Sequence, residues 1–330
     1  MTGELAMAEY LPATRATRRA LAEEAIEQAL ADGSPDAVRA ALPASRIAWW
    51  HPAHTPSRRA FADRVAASAR EAGDPWTEVD ALDYARNDAL ELGDRPGFDA
   101  AGERTRALAA ELRTPHHRWR AAVCDFHDAM LRGDHDEAEQ HAGRALACWE
   151  GHDHPDAVLT YGYQIAAVRM QQGRPDDVIA MARSVAAAEP GLLIVRAALA
   201  RACAAAGQLD AARQELDLAM ADDMAGVPQD SGWLLAITWY AETAALTRHA
   251  AAARHLLGQL HRWVDHIACI AGPGLSWGTV GHTVAALQAV LGDRDRSDAT
   301  AARATVVDER VGFVSPSSGL SAVGEVTGEG

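Results

Sequence analysis

A glycine-centred break recurs along the chain and constrains its fold more than any other feature. The stretches "ELGDRPGFDAA" around Gly93, "LRGDHDEAEQH" around Gly133, "QQGRPDDVIAM" around Gly173, "AAGQLDAARQE" around Gly207 and "VLGDRDRSDAT" around Gly292 follow one plan. Helix-like sequence stops at a glycine and restarts with acidic residues, proline or small residues. Gly93, Gly133 and Gly173 stand 40 residues apart in succession, and Gly207 follows after 34. The 85 residues from Gly207 to Gly292 leave room for a further turn near Arg248-His249. A period of roughly 34 to 45 residues is the mark of solenoids built from paired helices. The glycine suits the left-handed residue that ends one helix, and the restart suits the exposed amides of the next.

The spacing therefore predicts an all-α fold, an α-solenoid of tetratricopeptide-like helical hairpins winding into a right-handed superhelix. With each glycine at the turn of such a unit, Ala138, Val178 and Ala212 fall at the small-residue site of the second helix. Ala145, Val185 and Ala219 fall one face further on, and Pro190 stands where a unit ends. Upstream, "TRRALAEEAIEQALADGSPDAVRAAL" reads as a weaker hairpin. "TPSRRAFADRVAASAREAGDPW" reads as a helix opened by Thr55-Pro56 and closed by Gly73. Residues 1–13 are expected to be a flexible N-terminus, 14–307 the solenoid, and 308–330 a disordered tail rich in Gly and Ser.

Composition agrees with helices. Much of the apolar fraction is alanine, whereas the 330 residues hold only 4 Phe and 5 Tyr, which disfavours a sheet core. All 31 basic residues are arginine, so no lysine can serve a nucleotide-phosphate loop or form a Schiff base. The net charge of −15, spread along the chain, argues against direct binding of nucleic acid. Cys124, Cys148, Cys203 and Cys269 are far apart and lack C-x-x-C spacing, as expected of a reduced cytoplasm. Neither a leader nor a stretch of 18 apolar residues is present, so secretion and membrane spanning are not expected.

Several stretches resemble a known family. "IAWWHPAHTPSRRAFADRVAASAREAGDPW", "ALELGDRPGFDAAGERTRALAAELRTPHHRWRAAVC", "LRGDHDEAEQHAGRAL", "PDAVLTYGYQIAAVRMQQGR" and "MADDMAGVPQDSGWLLAITWYAE" are similar to the C-terminal tetratricopeptide region of actinobacterial LuxR-type regulators and signal-transducing ATPases, cyclase–ATPase fusions included. The likeness runs from about residue 17 to 292. It implies a part in signalling or transcriptional regulation. The chain departs from that family in having no nucleotide-binding loop, helix-turn-helix or cyclase half, so ATPase activity and DNA binding do not carry over.

In a superhelix of hairpins the first helices line a concave groove. Counting back from each turn glycine places Asp80, Asp83 and Asn87 on that wall, then Arg120, His127 and Met130, then Tyr163 and Met170, then Arg201. Arginine, histidine and tyrosine at such spacing could clamp a peptide or its carboxylate, with methionines adapting to the ligand. The expected function is thus a non-enzymatic scaffold for a protein or peptide partner, a separately encoded ATPase or regulator being one candidate. One alternative is a sensor closing around a small effector. Another is an enzyme using Asp83, His127 and Tyr163 as acid–base groups.

Other motifs read more simply. His152 and His154 in "HDHPD" lack the convergent ligands and carboxylate partners of a metal site. Asp222-Asp223 reads as an interhelical connection, with Asp230-Ser231 capping the helix of Trp233 and Trp239. Trp49-Trp50 reads as an anchor for the N-terminal hairpins. "AGPGLSWGTVGH" from Ala271 reads as a loop entering the last hairpin. No catalytic residue, metal ligand or cofactor is indicated.

Overall fold

The break glycines take the left-handed conformation that ends a helix, with φ of 71° at Gly93, 73° at Gly133, 69° at Gly173, 74° at Gly207 and 85° at Gly292. After three of them an aspartate caps the second helix. The side chains of Asp94, Asp134 and Asp293 accept the amides of Gly97, Glu137 and Arg296. In the 85-residue gap, Arg248 takes the left-handed conformation instead, at φ 53°, and His249 Nδ1 accepts the Ala252 amide.

The computed structural model describes residues 12–314, apart from residues 153, 190, 191, 222, 225, 226, 228 and 273. The N-terminal part comprises α1 (Pro12–Asp32), α2 (Pro35–Ala40), α3 (Leu42–Ala48) and α4 (Thr55–Ala72). Hairpins then follow in tandem: α5 (Pro75–Glu91) with α6 (Arg95–Leu112), α7 (Pro115–Leu131) with α8 (His135–Ala147), and α9 (Pro155–Gln171) with α10 (Pro175–Ala188). After them come α11 (Leu193–Ala205) with α12 (Leu209–Met220), α13 (Trp233–Leu246) with α14 (Ala250–Leu260), and finally α15 (Val280–Val290) with α16 (Arg294–Val311). Most helices pack chiefly on their neighbours in sequence, as a solenoid requires, while α13 packs most closely on α11, the first helix of the preceding hairpin.

At Gly173 no heavy atom lies within 4 Å of where a Cβ would stand, so an alanine there meets only the backbone cost of positive φ. Gly173→Ala should lower stability by about 1–2 kcal/mol in urea denaturation. No measurable loss would mean that the turn does not depend on a left-handed glycine.

The expected all-α solenoid is what forms, and the expected loop at "AGPGLSWGTVGH" is corrected. Ile267–Ile270 and Leu275–Thr279 form strands β1 and β2 of an antiparallel hairpin between α14 and α15. Ile267 pairs with Thr279 and Ile270 with Leu275, and a bulge follows Ala268. The two strands are buried on both faces, which isolated surface hairpins are not. Ile267 and Cys269 join Leu90, Leu131, Val307, Val311 and Phe313 in one cluster. Ala268, Ile270, Leu275 and Trp277 join Phe126, Met130, Ile165, Val168 and Trp239 in the main core. The hairpin therefore packs against α5, α7, α9 and α13. It occupies the inside of the curve.

The boundary expected at residue 308 is also corrected. Helix α16 runs to Val311, where Gly312 caps it with φ 67°. Asp308 is buried, 2.7 Å from His282 Nε2 and hydrogen-bonded by the Thr279 hydroxyl at 2.5 Å. Phe313 is buried, and the Val314 amide donates to the Leu131 carbonyl at 2.9 Å. The apolar side chains of Val307, Val311 and Phe313 gain more by this burial than the segment's glycine and serine content suggests. The rest of the expected tail, residues 315–330, lies outside the described residues. So do residues 1–11 of the N-terminal segment, and α1 already begins at Pro12.

The ends of the curve meet. Arg95 Nη1 donates to the Val311 carbonyl at 2.6 Å, joining the second hairpin helix to the last. The His51 ring stands 4.9 Å from Trp233 and 5.5 Å from Trp263.

Candidate partner-binding surface

The concave wall divides into a shallow rim and a deep part. At the rim, the amino ends of the first helices bring Asp80, Asp83, His116 and Arg120 together. The Arg120 guanidinium lies 3.1 Å from Asp80 and 3.2 Å from Asp83, and His116 Nε2 lies 3.1 Å from Asp80. Burial alone would push the Asp80 carboxyl up, but hydrogen bonds and charge from His116 and Arg120 outweigh it and hold it at about 2. Arg120 also lies 4.5 Å over the Trp119 ring. An aromatic row continues along the rim: Trp76 stacks on His116 at 4.8 Å, Trp119 meets His154 at 5.2 Å, and His154 stacks on Trp149 at 3.9 Å.

Deeper in, the wall meets the chain's own hairpin, and the expectation of a ligand-facing surface there is corrected. Asn87, His127, Met130 and Arg201 are all buried. A Cβ on Gly274, at the hairpin tip, would stand 2.6 Å from Val123 Cγ1 and 3.7 Å from His127 Cβ. The Arg201 Nε donates to Glu242 at 2.5 Å, and the Trp277 indole donates to the same carboxylate at 2.9 Å. Arg120 and Arg201, expected to hold a ligand carboxylate, thus hold Asp80, Asp83 and Glu242. Glu242 and Trp277 lie far from any turn glycine and carry no motif, so counting residues could not have found them.

Burial and the neighbouring Arg86 keep His127 neutral, its pKa well below that of a free imidazole. His127 Nδ1 is 3.4 Å from Arg86 Nη1, and its ring meets Phe98 edge-on. Asp83 is held by Arg120 and His127 faces Arg86, so these two members of the acid–base trio are engaged apart from each other. Tyr163 and Met170 remain half-buried and pack against the main core.

The remaining motifs have structural roles. His154 caps α9 by accepting the Ala157 amide on Nδ1. Trp49 packs edge-on against Phe61, and Trp50 against Tyr84. Gly232, rather than Asp230-Ser231, occupies the cap position before Trp233, and Asp230 accepts the Gly232 amide. Asp222 lies outside the described residues. Among the described residues no group of three or more His, Cys, Asp or Glu could hold a metal ion. No described helix is long and apolar enough to cross a membrane.

No curated protein matches the chain. A tetratricopeptide-repeat family model matches residues 169–229, from the last turn of α9 to the connection before α13, so this part of the solenoid is a tetratricopeptide-repeat region.

Proposed function

We propose that the chain is a non-enzymatic scaffold that holds a protein or peptide partner within a signalling or transcriptional-regulatory system. Tetratricopeptide repeats generally mediate contacts between proteins, and the match at residues 169–229 supports a binding role. The signalling context rests on the resemblance of the quoted stretches to LuxR-type and ATPase regulators.

The observation that carries a recognition surface is the rim. There Asp80 keeps a partly exposed, ionised carboxylate beside Asp83, with Tyr163 half-buried two hairpins on. Fixed carboxylates suit a basic side chain of the partner, and a tyrosine ring further along the chain offers a second, aromatic contact. Asp80→Asn and Tyr163→Ala should each reduce the partner recovered by affinity purification and mass spectrometry, with far-ultraviolet circular dichroism unchanged. Equal recovery with both variants would overturn the rim as the binding surface.

A second reading, a sensor for a small polar effector, is favoured by one observation. Asn87 Oδ1, Arg120 Nε, His127 Nε2, Arg201 Nη1 and Ser276 Oγ are buried without a hydrogen-bond partner. Such atoms carry a desolvation cost that a polar ligand would relieve. A metabolite that raises the thermal midpoint, in a protein that recovers no partner, would favour the sensor.

A further inference from the structure

The hairpin of α9 and α10 is closed at its turn and open at its far end. Near the turn, Ala166 and Met170 of α9 pack with Val178, Ile179 and Ala182 of α10. One turn back along α9 stands Gly162, and no heavy atom lies within 4 Å of where its Cβ would be. On α10 the corresponding turn carries Val185, which is exposed, with Met181 exposed one turn before it. The same end of α9 exposes Val158, whose side chain is 64% accessible, and Leu159. Small residues at 162, 166 and 182 leave the two helices without the bulky side chains that would fill the space between them. The result is an exposed apolar seam at the far end of this hairpin, two hairpins along the chain from Asp80.

The open end of the seam carries exposed acidic residues. Asp156 stands in the first turn of α9, Glu189 caps the end of α10 and Glu150 lies in the connection that leads into α9, and all three are solvent-facing. Arg183 stands between Met181 and Val185 in sequence but on the opposite side of α10, where its guanidinium faces Gln208 Oε1.

We infer that this seam binds a basic amphipathic helix of a partner protein. The helix's apolar stripe lies on Val158, Leu159, Met181 and Val185, and a large aliphatic side chain enters the space beside Gly162. Its arginines or lysines meet Glu150, Asp156 and Glu189. Apolar anchors at helical spacing seated between two helices are a recurring mode of peptide recognition, and the acidic flanks favour a cationic occupant over an acidic one. The inference deepens the scaffold function by naming a partner chemistry at a second surface.

The test uses the full chain and two fluorescent synthetic helices of equal length, one composed of Leu and Lys and the other of Leu and Glu. Fluorescence anisotropy should detect the Leu/Lys helix and not the Leu/Glu helix. Gly162→Leu keeps every charge and replaces a helical glycine with a good helix former, so the chain should fold at least as well. It should nevertheless weaken the Leu/Lys helix by about tenfold or more, as loss of a central anchor does. Val158→Glu should weaken it similarly.

Equal binding of both helices, no binding of either, or a Gly162→Leu variant with unchanged affinity would each overturn the inference. The last outcome would identify general attraction to an acidic protein. The seam does not include Asp80, so Asp80→Asn reports on the rim alone. Failure here therefore leaves partner capture at the rim standing, and failed capture with an intact Leu/Lys complex would reject the rim alone.

Discussion

Replacing Arg58 with leucine should cost about 3–5 kcal/mol of unfolding free energy, because it strands two buried carboxylates. Arg58 on α4 is almost wholly buried. Its Nη2 lies 2.6 Å from Asp88 and 3.1 Å from Glu91, and its Nη1 donates to the Trp49 carbonyl at 2.6 Å. The Thr55 hydroxyl adds a hydrogen bond to Glu91 at 2.6 Å. One guanidinium thus serves two acids in a dry site. Burial, partly offset by Arg58, pushes the Asp88 carboxyl up to about 7.

The sign of the pH dependence follows. A carboxyl whose folded pKa is raised binds its proton more tightly when folded, so its contribution is present at low pH and fades as pH rises through 7. Without Arg58 the charged form of Asp88 is worse still. The Arg58→Leu penalty should therefore be larger at pH 8 than at pH 5, in urea denaturation followed by circular dichroism. An equal or smaller penalty at pH 8 would show that Asp88 is not the group left uncompensated.

Trp277→Ala should cost a comparable amount, about 3–5 kcal/mol, the range for truncating a buried aromatic side chain. Trp277 is buried on β2, meets Trp239 edge-on at 5.5 Å and donates its indole N–H to Glu242. Truncation removes ring contacts and leaves Glu242 with fewer donors, although the Thr283 hydroxyl, at 3.3 Å, and Arg201 remain. If the β-hairpin is the centre of the fold, the loss should appear in one unfolding transition monitored by both circular dichroism and tryptophan fluorescence. A change confined to fluorescence would mean that the hairpin is an attachment to a solenoid stable without it.

The helical hairpins were legible because their signals are local. A glycine at positive φ followed by a capping aspartate specifies a helix end within five residues, and Gly93 and Gly133 carry that signal in full. Arg248 was legible only through the length of the gap around it, since arginine does not advertise a left-handed turn. The strands were not legible: "IACI" and "LSWGT" are four and five residues long, and the glycines between them suggest a loop as readily as a β-turn.

The candidate wall follows the same division. Of the residues counted back from the turns, Asp80, Asp83 and Arg120 come together. Whether solvent or protein faces Asn87, His127 and Arg201 is decided by a hairpin that enters the chain at residue 267, beyond the reach of any local pattern. Phe313 was missed for a similar reason, since its burial depends on Leu90 and Leu131, which belong to early repeats.

The bond from Arg95 to Val311 spans 216 positions in sequence. An open row of repeats can lose its end units one at a time, each interface melting with little regard for distant ones. A row whose last helix is fastened to α6, the second helix of its first tandem hairpin, has no free C-terminal unit to fray. Its units must denature nearly in concert, and the entropy of bringing such remote segments together slows the search for the native state compared with linear arrays of the same length.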